Sequence, residues 1–571
     1  MTKFSTENRG GDPGKITFGV MSTGLVFQAW QGECLRQLAN NGMKPGLLII
    51  DDNDFPKKSL WQKTGNYLNK TGLYHLYNRL FFRPEAKKLT DLTEYFKGVE
   101  VIRCKTRKIK FSEYFSDQDI SQIKKHELSF ILRFGFNIIR GDILDAAKYG
   151  VWSFHHDDEQ KYRGGPPGFW EIMKNDPVTG AILQRLTNKL DGGIILKKGF
   201  FKTINHSYSA QIDILYFETA SFPLQVCRDI LNNRASYIQN PQSFTEAPVF
   251  KAPSNFSMVV FLSQLIYNKL LFHHNEVYHP EDWNVGLLKS KVIEVVKNPA
   301  FAEIKWLPDP PKGHYYADPF GFFRDGKFII VFENYDYQTR KGIISQVEFT
   351  DGKFGKIQPA IIEEFHLSYP FIFENEGQIF CIPETAAINQ VRLYQFDNNS
   401  GRFVFKKILL DGFPAADPTI FRYDGLWWLF ATHQAQSNSS LYAFYAKNPD
   451  DVFVPHHNNP VKIDVRSARP AGTPFYDGTI FIRPAQDCAE TYGGRVVLNK
   501  ISVLNPFEFK EEPVGFLQPP RNSKYNRGLH TLAGMADFTL IDGKRFKFNY
   551  DNFKFLIVKK FGRFFGLRQK P

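Results

Sequence analysis

Residues 150–155 read Gly-Val-Trp-Ser-Phe-His, and this stretch decides how the first part of the chain folds. A short apolar run of this kind is typical of a buried strand in a parallel sheet. A side chain at the carboxyl end of such a strand faces the crevice in which open α/β sheets bind ligands. His155 stands at that end, and an imidazole transfers protons readily near neutral pH. The stretch therefore predicts a catalytic histidine in an α/β domain.

Two further segments complete the predicted site. Residues 163–167, Arg-Gly-Gly-Pro-Pro, predict a tight loop that walls the crevice, with glycines that let a ligand come close. Asp191 precedes two glycines at a turn, from which its carboxylate can orient His155 and hold the imidazole protonated. On spacing alone, the pair is equally well a hydrogen-bonded core histidine and a turn aspartate.

The same segments resemble the signature of the folate-dependent formyltransferases, which include methionyl-tRNA, glycinamide-ribonucleotide and amino-sugar enzymes. That signature runs roughly Asn-x-His, Arg-Gly-x-x-Pro, Thr-Gly and Leu-Asp-x-Gly. The chain matches it with His155, with Arg163, Gly164 and Pro167, with Thr179 and Gly180, and with Leu190, Asp191 and Gly193. The resemblance covers roughly residues 15–235.

The resemblance implies a reaction and a set of roles. An amine attacks the formyl carbon of 10-formyltetrahydrofolate, which is a donor substrate, and no metal takes part. His155 is then the general acid and base and an oxyanion donor, and Asp191 is its partner. The residues implied in substrate binding are His156, Arg163, Gly164, Gly165 and Pro167.

One position departs from the signature, because Ser153 stands where the family has asparagine. A serine hydroxyl can donate a hydrogen bond, but it reaches less far than an amide, and losing one oxyanion donor lowers a rate by about 10²–10³. Three interpretations stay open: Ser153 supports weaker catalysis, His156 fills the gap, or the fold is kept for another use.

Residues 156–159, His-Asp-Asp-Glu, raise the question of a metal site. Consecutive side chains rarely converge on one ion, and neither an HExxH motif nor paired cysteines support a metal. We predict a solvated loop here and no metal.

The wider pattern before residue 245 is again α/β. Residues 15–21 and 46–51 read as strands, a helix lies between them over 26–39, and another helix closes the domain over 212–232. We expect a Rossmann-like formyltransferase domain over 15–245, preceded by a disordered segment 1–14. A helical linker over 246–299 follows, and a basic insertion over 55–97 interrupts the first half.

The second half of the chain changes to strand pairs joined by turns of the Asp-Gly type. The turns are Asp325-Gly326, Glu376-Gly377, Asp424-Gly425, Asp477-Gly478 and Asp542-Gly543. An Asp-Gly pair between apolar runs is a strong hairpin signal, and five repeats of about fifty residues indicate a five-bladed β-propeller over 300–548.

A recurring element precedes four of the hairpins, as in Ala317-Asp318-Pro319 and Ala416-Asp417-Pro418. If these positions line the channel, Asp318, Asp417 and Arg469 point to one axis, with Glu384 near it. This half resembles the arabinanase and xylosidase glycosidases, which use two aspartates and a glutamate, and the front propeller of plant glucosamine inositolphosphorylceramide transferases. Hydrolysis needs paired carboxylates, but Arg469 would form an ion pair with one of them, so carbohydrate binding and a plain scaffold stay open.

Charge and the tail bear on partners and location. The 571 residues carry a net charge of +13, which points to an anionic partner such as a nucleotide, a glycan or a membrane surface, and we expect no nucleic acid. The aromatic and basic tail, 549–571, has over 553–568 the profile of an interfacial helix, or else packs on the propeller. Neither a signal peptide nor a long apolar run is seen, so we expect a cytoplasmic protein, peripheral on the inner face of a membrane.

Two functions of different class follow. The first is formyl transfer to the amine of a nucleotide- or lipid-linked amino sugar, in the synthesis of a cell-envelope glycan such as lipopolysaccharide. The second is a glycan-binding or glycan-processing propeller joined to an altered formyltransferase-like domain.

Overall fold

The computed structural model describes residues 16–53, 70–189, 192–299, 303–436 and 438–564, with side chains up to residue 559. The chain divides into two compact units with a boundary between residues 269 and 270. Each unit has its own hydrophobic core.

The first unit combines α-helices with one large sheet. Its strands are β1 Thr17–Ser22, β2 Val26–Gln28, β3 Lys44–Asp51, β4 Leu89–Asp91, β5 Glu100–Cys104, β6 Arg107–Ile109, β7 Ser112–Tyr114, β8 Phe130–Arg133, β9 Ile138–Arg140, β10 Val151–His155, β11 Arg163–Gly164, β12 Val178–Arg185, β13 Ile194–Lys202 and β14 Val249–Phe250. Its helices are α1 Ala29–Asn40, α2 Gly72–Leu80, α3 Asp117–Lys124, α4 Phe169–Lys174, α5 Tyr208–Thr219, α6 Phe222–Leu231 and α7 Asn255–Tyr278, the last of which contains the unit boundary.

The large sheet has the strand order β13-β12-β10-β8-β1-β3-β5 in the described residues. The strands from β10 to β5 are parallel, and β12 and β13 are antiparallel. The chain runs outward from β1 to β3 and β5 and then returns to β8 on the other side. This reversal places the topological switch point, where such sheets bind ligands, between β1 and β8. The predicted Rossmann-like domain is confirmed.

The predicted closing helix over 212–232 is in fact two helices, α5 and α6. Pro223 lies in the first turn of α6, where its ring and its missing N–H are tolerated, whereas it would break a helix interior. Residues 208–231 therefore cover the sheet with a bend between the two helices.

The second unit is almost entirely β-structure. Its elements are β15 Glu281–Leu288, α8 Val292–Lys297, β16 Lys305–Trp306, β17 His314–Arg324, β18 Lys327–Asp336, β19 Lys341–Thr350, β20 Lys353–Phe354, β21 Gln358–Ile361, β22 Ser368–Asn375, β23 Gln378–Glu384, β24 Gln390–Asp397, β25 Arg402–Asp411, β26 Ala415–Tyr423, β27 Leu426–His433, β28 Ser440–Ala446, β29 Val454–Pro455, β30 Lys462–Ile463, β31 Phe475–Tyr476, β32 Phe481–Asp487, β33 Arg495–Asn505, β34 Glu508–Leu517, β35 Leu532–Met535, β36 Phe538–Phe546 and α9 Tyr550–Phe564.

These strands form five antiparallel sheets in the part of the second unit that the structure describes. Four sheets are continuous in the chain, and the fifth joins β15 and β16 from the start of the unit to β35 and β36 from its end. Residues 281–288 pair with residues 539–546 along their whole length, which closes the ring. The predicted five-bladed propeller is confirmed.

The ring closure changes the predicted boundary between linker and propeller. The predicted helical linker over 246–299 contains α7, but Glu281–Leu288 is a buried strand of the propeller. The residues around this strand do not indicate it, because its partner lies more than 250 residues away in the chain.

Three of the predicted turns of the Asp-Gly type are observed, in the mirror-image form that is typical of hairpins. Asp325, Glu376 and Asp424 and the glycines after them all have positive φ, as a type I′ turn requires. The predicted turn at Asp542-Gly543 is wrong, because both residues lie inside β36. A Cβ on Gly543 would come within 2.7 Å of the Tyr525 Cβ, so this glycine serves close packing.

The innermost strands carry a second repeated feature, at the positions of the predicted channel residues. Asp318, Tyr369 and Asp417 all have positive φ, and the strand register shifts by a bulge at each of them. A bulge re-aims a side chain. Its repetition in three blades brings the three side chains into one buried network.

The described part of the tail is helix α9, Tyr550–Phe564. Among the described residues, no helix has the length and apolar character needed to cross a membrane. In α9, Asn552 and Leu556 are buried, and the ring of Phe553 lies 6.1 Å from that of Tyr278. The described part of the tail therefore packs on its own unit, and the side chains from residue 560 onward lie outside the described residues.

Candidate functional site

The carboxyl ends of three neighbouring parallel strands bring polar side chains together in the first unit. β1 ends at Ser22, β8 at Arg133 and β10 at His155. Because β8 pairs with both other strands, these ends lie along one edge of the sheet, at and beside the switch point. This edge is the candidate site of the first unit.

Ser153 is held by a guanidinium group that the sequence analysis did not single out. The Nε and Nη2 atoms of Arg133 donate to the Ser153 Oγ at 3.2 and 2.8 Å. Arg133 is itself fixed by the carbonyl oxygens of Phe136 and Asn137, at 3.1 and 2.6 Å. Ser153 is only 2% exposed, so its oxygen serves as an acceptor inside the protein.

A signal for Arg133 exists in the sequence, since it ends an apolar run of three residues, Phe-Ile-Leu. A cation at the carboxyl end of a buried parallel strand is a candidate for ligand binding. The arrangement can offer guanidinium hydrogen bonds close to the position where the formyltransferase signature has its asparagine.

His155 lies two residues beyond Ser153 on the same strand. Side chains alternate along a strand, so the two residues share one face of the sheet. His155 is partly exposed, and its backbone is fixed opposite Ile182 of β12. It is thus accessible at the candidate site, as a proton-transferring group must be.

His156 belongs to the core and cannot stand in for the missing asparagine. Its ring lies 5.1 Å from that of Trp30 and 4.0 Å from that of Tyr216, and its Nε2 is 3.2 Å from the Thr219 Oγ1. Burial, with His155 and Lys87 nearby, holds the pKa of His156 well below its ordinary value. The neutral, enclosed ring is a packing residue, which removes one of the three interpretations of Ser153.

The predicted solvated loop over 156–159 is wrong, because Asp157, Asp158 and Glu159 are also buried. Lys198 forms ion pairs with Asp158 at 2.7 Å and with Glu159 at 3.0 Å, and Asp157 accepts from the Gly168 N–H at 3.0 Å. A charged tetrapeptide reads as exposed in the sequence, but here a lysine from β13 and a loop amide compensate the buried charges.

Two neighbouring buried acids, Asp157 and Glu171, follow His155 in the chain. Burial raises the pKa of Asp157 to about 6, against the opposing effect of His155. Burial, and Asp157 beside it, raise the pKa of Glu171 well above its ordinary value. Glu171 is fully buried on α4, so burial and the neighbouring acid both favour its protonated form.

The Arg-Gly-Gly-Pro-Pro loop is attached to another segment of its own unit. Arg163 and Gly164 form β11, which pairs with Val249–Phe250. A Cβ on Gly164 would lie 2.1 Å from the Phe250 carbonyl oxygen, so this glycine permits the approach of a protein strand, where the sequence had suggested a ligand. Gly165 and Pro167 continue the loop, in which the Pro167 carbonyl accepts from the Tyr208 hydroxyl at 3.0 Å.

The predicted partner of His155, Asp191, lies outside the described residues together with Leu190. Its role stays a prediction. The predicted Thr179-Gly180 element lies in β12, where Thr179 is buried and bonds to Thr203 and Gln211.

In the second unit, Asp417 is the centre of a buried polar network. Arg469 forms a bidentate ion pair with it, at 2.6 and 3.0 Å, and the Gln486 amide donates to it at 2.7 Å. Glu384 accepts from the Asp417 backbone N–H at 3.0 Å. The carboxylate that the sequence offered for hydrolysis is therefore neutralised by an arginine.

Asp318 occupies the equivalent position two blades earlier in the chain. The Nε2 of His530 lies 3.2 Å from Asp318 and its Nδ1 lies 2.6 Å from Asp542, so the imidazole bridges two buried carboxylates. Among the described residues these three could share a cation, since their donor atoms lie within 4.8 Å of one another. The bridging imidazole already compensates their charge, and the absence of a metal stays a prediction.

Burial dominates the titration of this network. It raises the pKa of Glu384 to about 8 and that of Asp318 to about 6, while Glu333 is raised well above its ordinary value. Burial alone would lower the pKa of His530, but Asp542 and Asp318 outweigh it and raise the pKa. All four shifts favour the protonated forms in the folded state.

Known proteins are similar to each half of the chain. Residues 281–537 match the family model described as Glucosamine inositolphosphorylceramide transferase 1, N-terminal, a range that begins at the first residue of β15. Glucosamine inositolphosphorylceramide transferase 1 of Oryza sativa subsp. japonica is 34% identical over 210 residues, which cover 35% of this chain and 28% of the relative.

A second relative is the methionyl-tRNA formyltransferase of Clostridium perfringens, which is 29% identical over 135 residues, or 23% of this chain and 44% of the relative. The chain thus spans less than half of the length of either relative. Among solved structures, the sugar 3N-formyl transferase WlaRD has 14% identity and a TM-score of 0.25, over 46% of this chain and 82% of that one. The sequence matches agree with the two-part architecture predicted from the sequence.

The buried acids predict that the propeller loses stability as the pH rises. Glu384 has a folded pKa of about 8, far above its ordinary value, so its contribution is complete below about pH 4.5 and is lost as the pH rises towards 8. Asp318 and His530 act in the same direction. Between pH 5.5 and 8.5 we expect the propeller melting temperature to fall by roughly 3–8 °C.

The variant Glu384→Gln cannot ionise and keeps an acceptor for the Asp417 N–H, so its melting temperature should fall less between pH 6.5 and 8.5. Glu374→Gln, at an exposed position on the same hairpin, is the matched control and should follow the wild type. Calorimetric melting of the three proteins measures the effect, and equal slopes for all of them would contradict the assignment.

Proposed function

We propose that the protein is a transferase that moves a formyl group from 10-formyltetrahydrofolate to the amine of an amino sugar. The observation that carries the proposal is the edge at which His155 and the Arg133–Ser153 pair meet, at the carboxyl ends of parallel strands. The match to a methionyl-tRNA formyltransferase supports a formyl donor. The name of the plant relatives supports a sugar or a glycolipid as the acceptor.

In this proposal His155 is the acid–base group, and Asp191 orients it and holds its proton. The amine attacks the formyl carbon, the carbonyl oxygen takes up negative charge, and His155 donates a hydrogen bond to that oxygen. The bond between the formyl carbon and N10 of the folate then breaks as the carbonyl re-forms. The proton that the amine loses is passed to N10, and tetrahydrofolate leaves. Arg133 supplies one further donor: four of its five N–H groups bond to Ser153 and to two carbonyl oxygens, which leaves one N–H on Nη2. Ser153 then positions Arg133 and does not touch the substrate, since it is almost fully buried.

The acceptor we propose is linked to a nucleotide or to a lipid and belongs to cell-envelope glycan synthesis. A cytoplasmic enzyme at the inner face of a membrane would meet such a lipid-linked sugar. The net charge of +13 supports an anionic substrate or surface.

A mass-spectrometric assay tests the proposed reaction directly. The purified protein is incubated with 10-formyltetrahydrofolate and a panel of nucleotide-linked amino sugars, and the products are examined for the addition of one formyl group. His155→Asn should lower the rate by at least about 10²-fold, because it removes the acid–base group. Arg133→Ala should lower kcat by about 10²–10³-fold, as the loss of an oxyanion donor does.

Two further variants sharpen this test. His75→Asn, at an exposed helix position, is the matched control and should keep the wild-type rate. Ser153→Asn separates the roles of the serine and the arginine: a lower kcat means that the pairing with Arg133 matters, whereas a higher kcat means that the family asparagine is the better donor. A wild-type protein that formylates none of the amino sugars would overturn the proposal.

We propose an anionic membrane surface as a partner of the tail. Each basic residue near such a surface contributes about 1 kcal/mol. Because Asn552 and Leu556 are packed inside the unit, the test reverses charges and does not truncate the helix. Lys559→Glu, Lys560→Glu and Arg563→Glu together should release the protein from phosphatidylserine vesicles in a sedimentation assay at low salt.

The matched control reverses three exposed lysines of the propeller surface, Lys353, Lys406 and Lys407. If it releases the protein equally well, the attraction is spread over the whole surface and the tail is not the anchor. If the wild-type protein does not sediment with the vesicles, the tail is purely structural.

A second candidate function is glycan binding by the propeller. The family-model match to a glycolipid transferase covers this unit and supports it. Because Arg469 neutralises Asp417, we propose that the propeller binds a glycan and does not hydrolyse it.

A further inference from the structure

A cavity of about 410 Å³ lies in the second unit, between the sheet of β17–β21 and helix α9. Its walls include Tyr315, Tyr335, Tyr337, Arg340, His366 and Phe555. A volume of this size is typical of small-molecule sites. None of the channel residues singled out from the sequence lines it, so it is a separate feature of the unit.

One wall of the cavity is a rigid group of three tyrosine rings. Tyr315 and Tyr335 face each other across β17 and β18 and stack at 4.8 Å with an angle of 14°. Tyr337 meets both of them edge-on, at 5.8 and 5.2 Å, and its hydroxyl donates to the Glu281 carbonyl at 2.6 Å. All three rings remain partly exposed, although they are large and well packed.

Next to the rings lies a histidine in a fixed tautomer. The Nδ1 of His366 accepts from the Gly342 N–H at 2.9 Å, and burial lowers the pKa of His366. The neutral ring therefore carries its hydrogen on Nε2. The Glu333 Oε1 lies 3.8 Å from this Nε2, which is beyond hydrogen-bond distance. The Nε2–H of His366 thus lies near the buried carboxyl group of Glu333 but does not donate a hydrogen bond to it.

Arg340 and residues of α9 form another part of the lining. The Arg340 guanidinium stacks on the Phe555 ring at 3.9 Å and donates to the Asn552 Oδ1 at 3.4 Å. Arg340 has φ of 55°, in the left-handed region that is rare for residues other than glycine. Arg340 ends the turn between β18 and β19, and hairpin loops commonly hold a residue with positive φ at such a position.

The composition of the walls selects one class of ligand. The lining holds both signs of charge, with Glu276 and Glu281 beside Arg340 and Lys559, and among the described residues it has no cluster of cations of the kind that binds a phosphate group. Glu281 is also held by an ion pair with Lys544 at 3.0 Å. An entirely apolar ligand would leave the polar groups that line the cavity without hydrogen-bond partners. A sugar ring offers an apolar face for the tyrosines and hydroxyls for His366 and Arg340.

We propose that this cavity binds a hexopyranose unit of a glycan, with Tyr335 as the stacking platform and helix α9 as one wall. The proposal deepens the glycan-binding function of the propeller, and it does not depend on formyl transfer. A glycan held here would be recognised through one sugar ring, and α9 would have to keep its place for the site to be complete.

Saturation-transfer NMR with the full-length protein tests the site, using glucosamine, N-acetylglucosamine, mannose and galactose as methyl glycosides and no folate. We expect signals from at least one glycoside at millimolar concentration. Tyr335→Ala should weaken its Kd at least 10-fold, while Tyr335→Trp should keep the Kd within a few-fold because it preserves the platform. Tyr476→Ala, at a 59% exposed tyrosine of another blade, should bind as the wild type does.

Two outcomes would overturn the proposal: none of the glycosides binds the wild type, or Tyr335→Ala and the wild type bind equally. Melting curves show whether Tyr335→Ala is folded, and if it is not, Arg340→Ala replaces it and should weaken binding by a similar factor. A loss of binding in Asp417→Asn with Tyr335→Ala unaffected would move the sugar to the channel and also contradict the proposal. Because no folate is present, a negative result leaves the formyl transfer untouched.

Discussion

The parallel pairing of β8 with β1 on one side and β10 on the other is the constraint on which the proposed catalytic edge depends. It sets the carboxyl ends of these strands side by side, so that Arg133 reaches the Ser153 hydroxyl at 2.8 Å and His155 emerges next to them. A serine in the position of the family asparagine is thereby tied to a guanidinium. The site is consequently built from a cation where the family signature has a neutral amide.

The propeller depends on a different constraint, which is the compensation of buried charge. Arg469 pairs with Asp417, and His530 bridges Asp318 and Asp542, so that each of these three aspartates has a charged partner. Removing one member of such a pair leaves an unpaired buried charge, at a loss of about 3–5 kcal/mol. The same compensation that stabilises the ring makes these carboxylates poor candidates for hydrolysis, whereas the tyrosine-lined cavity has surfaces open to a ligand.

Local patterns predicted the fold class well, because strand–helix alternation and Asp-Gly hairpins both depend on residues that are close together in the sequence. They failed where distant segments decide the outcome. Glu281–Leu288 is a strand only because β36 pairs with it, Asp542-Gly543 is buried under Tyr525, and residues 156–159 are enclosed by Lys198 and the aromatic core. The sequence pointed to His155, but Arg133 emerged only from the sheet order, which no short window of sequence contains.

Isothermal titration calorimetry with the full-length protein measures directly whether 10-formyltetrahydrofolate binds. A formyltransferase site at the edge of β1, β8 and β10 predicts saturable binding of one folate per chain with a Kd below about 1 mM, or a binding free energy stronger than about −4 kcal/mol. Arg133→Ala should weaken it, while Tyr335→Ala in the other unit should not. No heat of binding at millimolar folate would contradict the account.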